Sequence, residues 1–340
     1  MSAKAGARKE EKAQAAAVGK RGPSPEEEAE EASEAPATAE PASKKPRLAE
    51  GGEQGGGGGP AEAGGGGETE GHEAGTAEAE GADKEQPNII EQGTIQFFYR
   101  PKVGKEGVDS LADVQRFFML LRPDAAGVKS RLCVMGKKRL PSARRHERFF
   151  GFVEATAEDP AELLEGLGPK HYETQTRGTR HLAAARAVGQ GTYALVEHVD
   201  RVNLVYKLEV PATPGEAQLE FTIGEAGSFI CQVKNPAGRG RGDPGLDQKA
   251  EFPPEKQEEF QHYSWIPPRD PQLFEYERCE FLLIGARQDE ELIEKLGEEG
   301  KQSECGAVSD EECLIESLRE EVQADKVGIS TEPAETGELA

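Results

Sequence analysis

The sequence predicts a mainly β domain (α+β at the margin), a single β-barrel or two-layer sandwich with one or two short helices, flanked by disordered acidic tails. Three observations lead there. Charge is segregated: residues 1–87 carry 10 Lys/Arg against 19 Asp/Glu, residues 88–288 carry 27 against 28, and residues 289–340 carry 4 against 17. Short aromatic and β-branched runs, eight or so, are confined to the balanced middle. The clearest of them alternates with period two, Leu204, Tyr206, Leu208 and Val210 against Asn203, Lys207 and Glu209, as a half-buried strand does. Three segments follow: a tail over 1–87, a domain over 88–288, and a tail over 289–340. A stretch of the domain's length buries roughly 70% of its unfolded surface, enough for one core.

Taken in order, residues 1–87 are Ala-, Glu-, Gly- and Pro-rich and hold no Phe, Trp or Tyr. Such a segment cannot offset its ordering entropy by burial and is predicted to be disordered. Its Gly-rich part acts as a tether with a span on the order of 30 Å. Within it Lys44, Lys45 and Arg47 form a basic island of the nuclear-import type. The implied partner is an import receptor and the implied location the nucleus; the alternative is a chance basic tetrapeptide in a cytoplasmic protein.

Strands are predicted over 93–103, 117–122, 130–135 and 147–154, with a helical turn near 109–114. A helix over 160–167 opens on Pro160 and ends at Gly168. A basic run through Arg186 meets a glycine hinge at Gly189 and Gly191, and a hairpin then ends at Val210. Further strands are expected over 217–223, 228–234 and 280–284, with loops over 238–245 and 253–271. Trp265, the one tryptophan, is read as a ring plugging an end of the β core, the alternative being a partner pocket. Beyond Gln288, Ser309 to Glu312 reads as a capping box. Leu314, Ile315, Leu318 and Val322 follow at helical spacing, a candidate partner helix that either docks on another protein or folds back on the core.

Catalytic patterns are missing from the sequence: no phosphate-binding loop, HExxH, GxSxG or EF-hand motif occurs. No cofactor and no metal are expected. His171 and His181 with Glu173 can be drawn as an acid–base set, but structural or surface histidines are the commoner case. Of five cysteines without a CxxC pair, Cys133, Cys231 and Cys279 lie in apolar strand-like runs and fit buried thiols; a disulfide framework has poor support, and a reducing compartment fits better. No apolar run approaches 18 residues, so no membrane span is expected.

The basic clusters say more. Lys137, Lys138, Arg139, Arg144 and Arg145 lie in one stretch, and Arg177, Arg180 and Arg186 in another. If the two meet in space they form a site for nucleic acid or an acidic protein, with the acidic tails as competitors. The alternatives are solvated loops with local ion pairs, or an enzyme or small-ligand barrel with a polar mouth near Arg177, Arg180 and His181. Phe97, Phe98 and Tyr99 beside Arg100 suggest base stacking, although consecutive strand residues face opposite sides. Arg239 and Arg241 form an RGRG step on a loop.

The strings GTIQFFYRPKV, DSLADVQRFFMLLRP, GKKRLP, TQTRGTRH, GQGTYALV, SFICQVKNP and FLLIGA, in that order over residues 91–287, resemble a family of fungi, green plants, algae and bacteria. Its members share a β-rich domain of this extent, and some fungal members carry the label "BTB domain transcription factor". The resemblance implies a nuclear setting and involvement in transcription, and brings no catalytic residue.

Overall fold

The computed structural model describes residues 88–105, 107–174, 178–238, 245–287, 293, 294, 296 and 311–339. Eight strands close into an antiparallel barrel: β1 (Asn88–Pro101), β2 (Val114–Pro123), β3 (Ser130–Met135), β4 (Arg148–Ala157), β7 (Arg186–Glu197), β8 (Val202–Val210), β9 (Ala226–Lys234) and β11 (Glu280–Gly285). Around the barrel they run β1-β2-β3-β4-β11-β9-β8-β7 and back to β1, the β8–β9 pairing making the closure. Outside it, β5 (Lys170–Thr174) and β6 (Gly178–Leu182) form a separate hairpin, and β10 (Trp265–Ile266) lies along β9.

Alternation decides what faces inward. Ile95, Phe97 and Tyr99 of β1 meet Phe117, Met119, Cys133, Phe149, Tyr193, Tyr206, Phe229 and Phe281 in one interior cluster. Rings dominate it: Phe117 stacks on Phe221 at 5.1 Å, Tyr99 on Phe221 at 5.0 Å, and Phe97 meets Tyr206 edge-on at 5.3 Å. Filling the interior in this way is what an eight-stranded barrel of small diameter demands. One charged group joins the rings. Arg131, with no exposed surface, forms two hydrogen bonds to Glu91 at 2.6 and 2.8 Å, and the Tyr193 hydroxyl donates to the same carboxylate at 2.8 Å.

The outer wall is covered unevenly. Against β1, β2 and β3, Phe98, Phe118, Leu120, Leu132 and Val134 are buried by Leu163 and Leu164 of α1 (Pro160–Glu165) and by the chain's C-terminal segment. That segment is α4 (Glu311–Glu321), α5 (Ala324–Val327) and α6 (Glu332–Thr336). Leu318 and Val322 are fully buried there, and Ser330 accepts from the Ala187 amide at 2.8 Å. On β7 and β8, Ala194, Val196 and Val205 pack with Ile293 and Leu296.

Four expectations change. The 217–223 strand is a short helix, α2 (Glu216–Glu220), followed by a turn. Gln218 accepts from the Gly215 amide and donates to the carbonyls of Val188 and Pro333, so α2 is pinned across the barrel end. Gly189 and Gly191 lie inside β7 and are no hinge: a Cβ on Gly191 would collide with the Lys207 carbonyl, which the bulge there brings close. The stretch 253–271 holds α3 (Pro254–Glu259) and β10. Finally, the packed unit extends past residue 288, because residues 311–339 are built onto the barrel. The mainly β class is as the alternation predicts, and of the two architectures it left open, barrel and sandwich, the closure of β8 on β9 makes this the barrel.

Candidate polyanion-binding surface

Strand directions place the β3–β4 connection of the first basic cluster and Arg186 of the second at the barrel end where β1 finishes and β2 begins. Lys138 takes a left-handed conformation (φ 58°), and its Nζ donates to the Val114 carbonyl at 2.7 Å. Arg139 grips Glu147 through two bonds of 2.8 and 2.9 Å, donates to the Thr222 hydroxyl, and lies 4.8 Å over the Phe149 ring. The Arg139 hydrogen bonds, aided by the Ser142 amide, hold the Glu147 carboxyl down at about 2 despite some desolvation. These two cations are structural ties between the loop and the barrel.

The remaining cations of that loop, and Arg148 where β4 begins, are left over. Lys137, Arg144, Arg145 and Arg148 are exposed, and none makes an ion pair with a described residue. Arg144 and Arg145 sit on the 3-10 turn Ala143–Arg145, which rests against the end of β11, where Gly285 meets Ser142 and Ala143.

The second cluster does not join them. Arg186 opens β7 beside Tyr99 of β1 and forms a parallel bridge with Ser330. Arg180 is on β6, opposite Tyr172 of the outlying hairpin, and Arg177 lies outside the described residues. In cyclic order β11 and β1 are four strands apart, hence on opposite sides of the barrel. Eight tilted strands at their usual spacing put those sides on the order of 15 Å apart.

Several other candidates fall elsewhere. His181 lies beside His171 with its ring tilted (centroids 4.4 Å apart, planes 44° apart) on the exposed hairpin, and the nearby barrel end is plugged by Phe221 between Tyr99 and Phe117. The predicted polar mouth near Arg180 and His181 is therefore closed by rings. Phe97, Phe98 and Tyr99 are all without exposed surface, and Arg100 is spent on the carbonyls of Gly166 and Gly168, so that run offers no stacking platform. The helix carrying Leu314, Ile315, Leu318 and Val322 docks on its own barrel, so its apolar face is taken. Lys44, Lys45, Arg47, Arg239 and Arg241 lie outside the described residues.

The free thiols among the described residues are structural. Cys133, Cys231 and Cys279 are buried and free; burial pushes Cys133 up to about 12 and raises the other two. Cys133, Cys231 and Cys279 are thus the buried thiols their apolar runs predict, whereas Cys313 is disulfide-bonded, where a reducing setting leads one to expect no such bond. Among the described residues no cluster of three or more His, Cys, Asp or Glu could hold a metal, and no helix is long and apolar enough to cross a membrane.

What sequence reading missed is the pairing of Trp265 with Phe150. The indole plugs nothing: Phe221 and Phe274 fill the barrel ends. Trp265 lies on the outer wall, 5.8 Å from the ring of Phe150, with the Lys234 ammonium 5.9 Å from its own ring. Phe150 is 48% exposed. The signal was legible in ERFFGFVE: Arg148, Phe150 and Phe152 share the face opposite Phe149, Gly151 and Val153. Comparison of the chain with protein-family models, curated proteins and solved structures finds no match in any of the three.

Proposed function

We propose that this protein is a non-enzymatic nuclear binding protein that takes a polyanion, nucleic acid first, on the basic rim of the β3–β4 connection. One observation carries the reading: the cations of that connection and of the first residue of β4 divide into two tied to the fold, Lys138 and Arg139, and four left exposed without a carboxylate partner among the described residues. Cations held by a rigid barrel, with neighbouring acids already neutralised, lose less counter-charge on meeting phosphates than cations in local ion pairs. The interior supports a binding surface over an enclosed site, because aromatic side chains fill it. The nuclear assignment rests on Lys44, Lys45 and Arg47, and transcription-associated regulation is the setting that assignment suits.

The test is binding of the full chain to heparin and mixed DNA across a salt series, beside a Lys137/Arg144/Arg145/Arg148→Ala variant. Affinity should fall with log salt by about 0.9 per phosphate contacted on duplex, and the variant should lose most of both affinity and slope. Binding unchanged in the variant would move the site elsewhere. In cells, Lys44/Lys45/Arg47→Ala should abolish nuclear accumulation.

A further inference from the structure

The barrel's outer wall is helix-covered on β1, β2 and β3 and packed by Ile293 and Leu296 on β7 and β8. On β4, β11 and β9 it is different. Their outward side chains include Arg148 and Phe150 on β4, Ile284 on β11 and Ile230 on β9, the first two exposed and the others partly so. Trp265 on β10 is aligned with Lys234 and reaches Phe150 across this wall. Resting on the polyanion reading above, we propose that this wall binds single-stranded nucleic acid, a base stacking on the Phe150–Trp265 pair and the adjoining phosphates meeting Arg148, Arg144 and Arg145.

Four features point to that ligand. The two rings are inclined at 43° and do not stack on one another, so they do not satisfy each other's faces. Arg148 is two residues from Phe150 on the same strand face, about 7 Å away along the chain, which sets a cation beside the ring. The carboxylates on the outward faces of these strands are already neutralised, Glu154 by Arg116 and Glu280 by Lys234 and Lys249. The ligand-facing charge is therefore positive. Next to Trp265, beginning at Ser264, lies an open groove of about 690 Å³ lined by Asn235, Gln257, Gln261, His262 and Tyr263, whose one carboxylate, Glu258, places the phosphates on the Arg148 side of the platform and leaves the groove to bases.

Ring stacking selects against a duplex. Bases inside a double helix present only their edges, whereas a single strand can splay a base onto an aromatic face and keep its phosphates on cations. An aromatic pair without surrounding cations would equally suit a protein partner; it is the arginines beside it that favour nucleic acid.

Trp265 is the only tryptophan in the chain, so its emission reports on the platform directly. The experiment titrates the full-length protein at low salt with an oligothymidylate, a duplex of equal length, and heparin. The expected result is saturable quenching by the single strand and an affinity at least about tenfold above that for the duplex. Phe150→Ala should cost the single strand about tenfold and leave heparin binding within twofold. Phe150→Leu, which keeps bulk without a π face, should lose as much, separating stacking from packing. If heparin binds but the single strand neither quenches nor outcompetes the duplex, or Phe150→Leu binds like wild type, the platform is overturned and the basic rim stands. If nothing anionic binds, heparin included, both readings fall and the aromatic pair is left to a protein partner.

Discussion

Arg131 shows how little local sequence says about a charge's fate. It sits within SRLCVM among apolar neighbours, points into a barrel of rings, and finds Glu91 and Tyr193 only because β1, β3 and β7 converge there. Removing one partner leaves the other charge buried, so Arg131→Met should destabilise by about 3–5 kcal/mol, while the Arg131→Met/Glu91→Leu pair should recover much of that loss. Denaturant unfolding of the three proteins checks this; additive losses would mean the two charges act independently. Glu147 allows a pH test. Its folded pKa of about 2 lies below the ordinary 4.5, so the Arg139 tie contributes fully above 4.5 and is lost as pH falls towards 2. The tie is largely at the surface, so the effect is small. The Tm gap between wild type and Glu147→Gln should narrow as pH is lowered from about 5 to about 2.5. Which of Lys137, Lys138 and Arg139 would be spent on structure was not legible, since the partners are Val114 and Thr222 as well as the nearby Glu147.

At the level of elements, the C-terminal segment matters most for stability. The spacing of Leu314, Ile315, Leu318 and Val322 predicted α4, and leaves its docking site open because periodicity identifies an apolar face without naming what covers it. The barrel supplies the answer through Phe118, Leu120 and Val134, and through Glu321, which accepts from Gln96 and Arg122. Leu318→Ala should therefore cost about 2–4 kcal/mol, read as a drop in denaturant midpoint; a loss under about 0.5 kcal/mol would mean the helix is a loose appendage. The strands were legible wherever one face is buried. The 217–223 stretch misled because Phe221 and Ile223 imitate an alternating strand, whereas Gln218, satisfied by backbone groups of Val188 and Pro333, holds a helical turn that caps the barrel.

For the whole molecule, net charge is a poor guide to binding. The chain totals −23, yet the wall of β4, β11 and β9 is basic, because part of the acidity is tied down elsewhere: Glu321 by Arg122 and Glu335 by Arg319 at 2.5 Å. That the centre is balanced was plain from the sequence; that Arg186 opens a strand across the barrel from the β3–β4 connection depends on strand order, which no local pattern carries. Closure of the barrel also shapes how the protein is made. β1 must wait for β7, roughly a hundred residues later, and the apolar wall of β1–β3, covered in part by α1, is not completed until Leu318, Val322 and Ile329 near the chain's end arrive. On the ribosome, then, a translating chain has its interior strands out in solution well before their cover is complete. A stall or premature stop after β11 releases a barrel with a partly uncovered greasy flank, a natural substrate for holdase chaperones and for degradation.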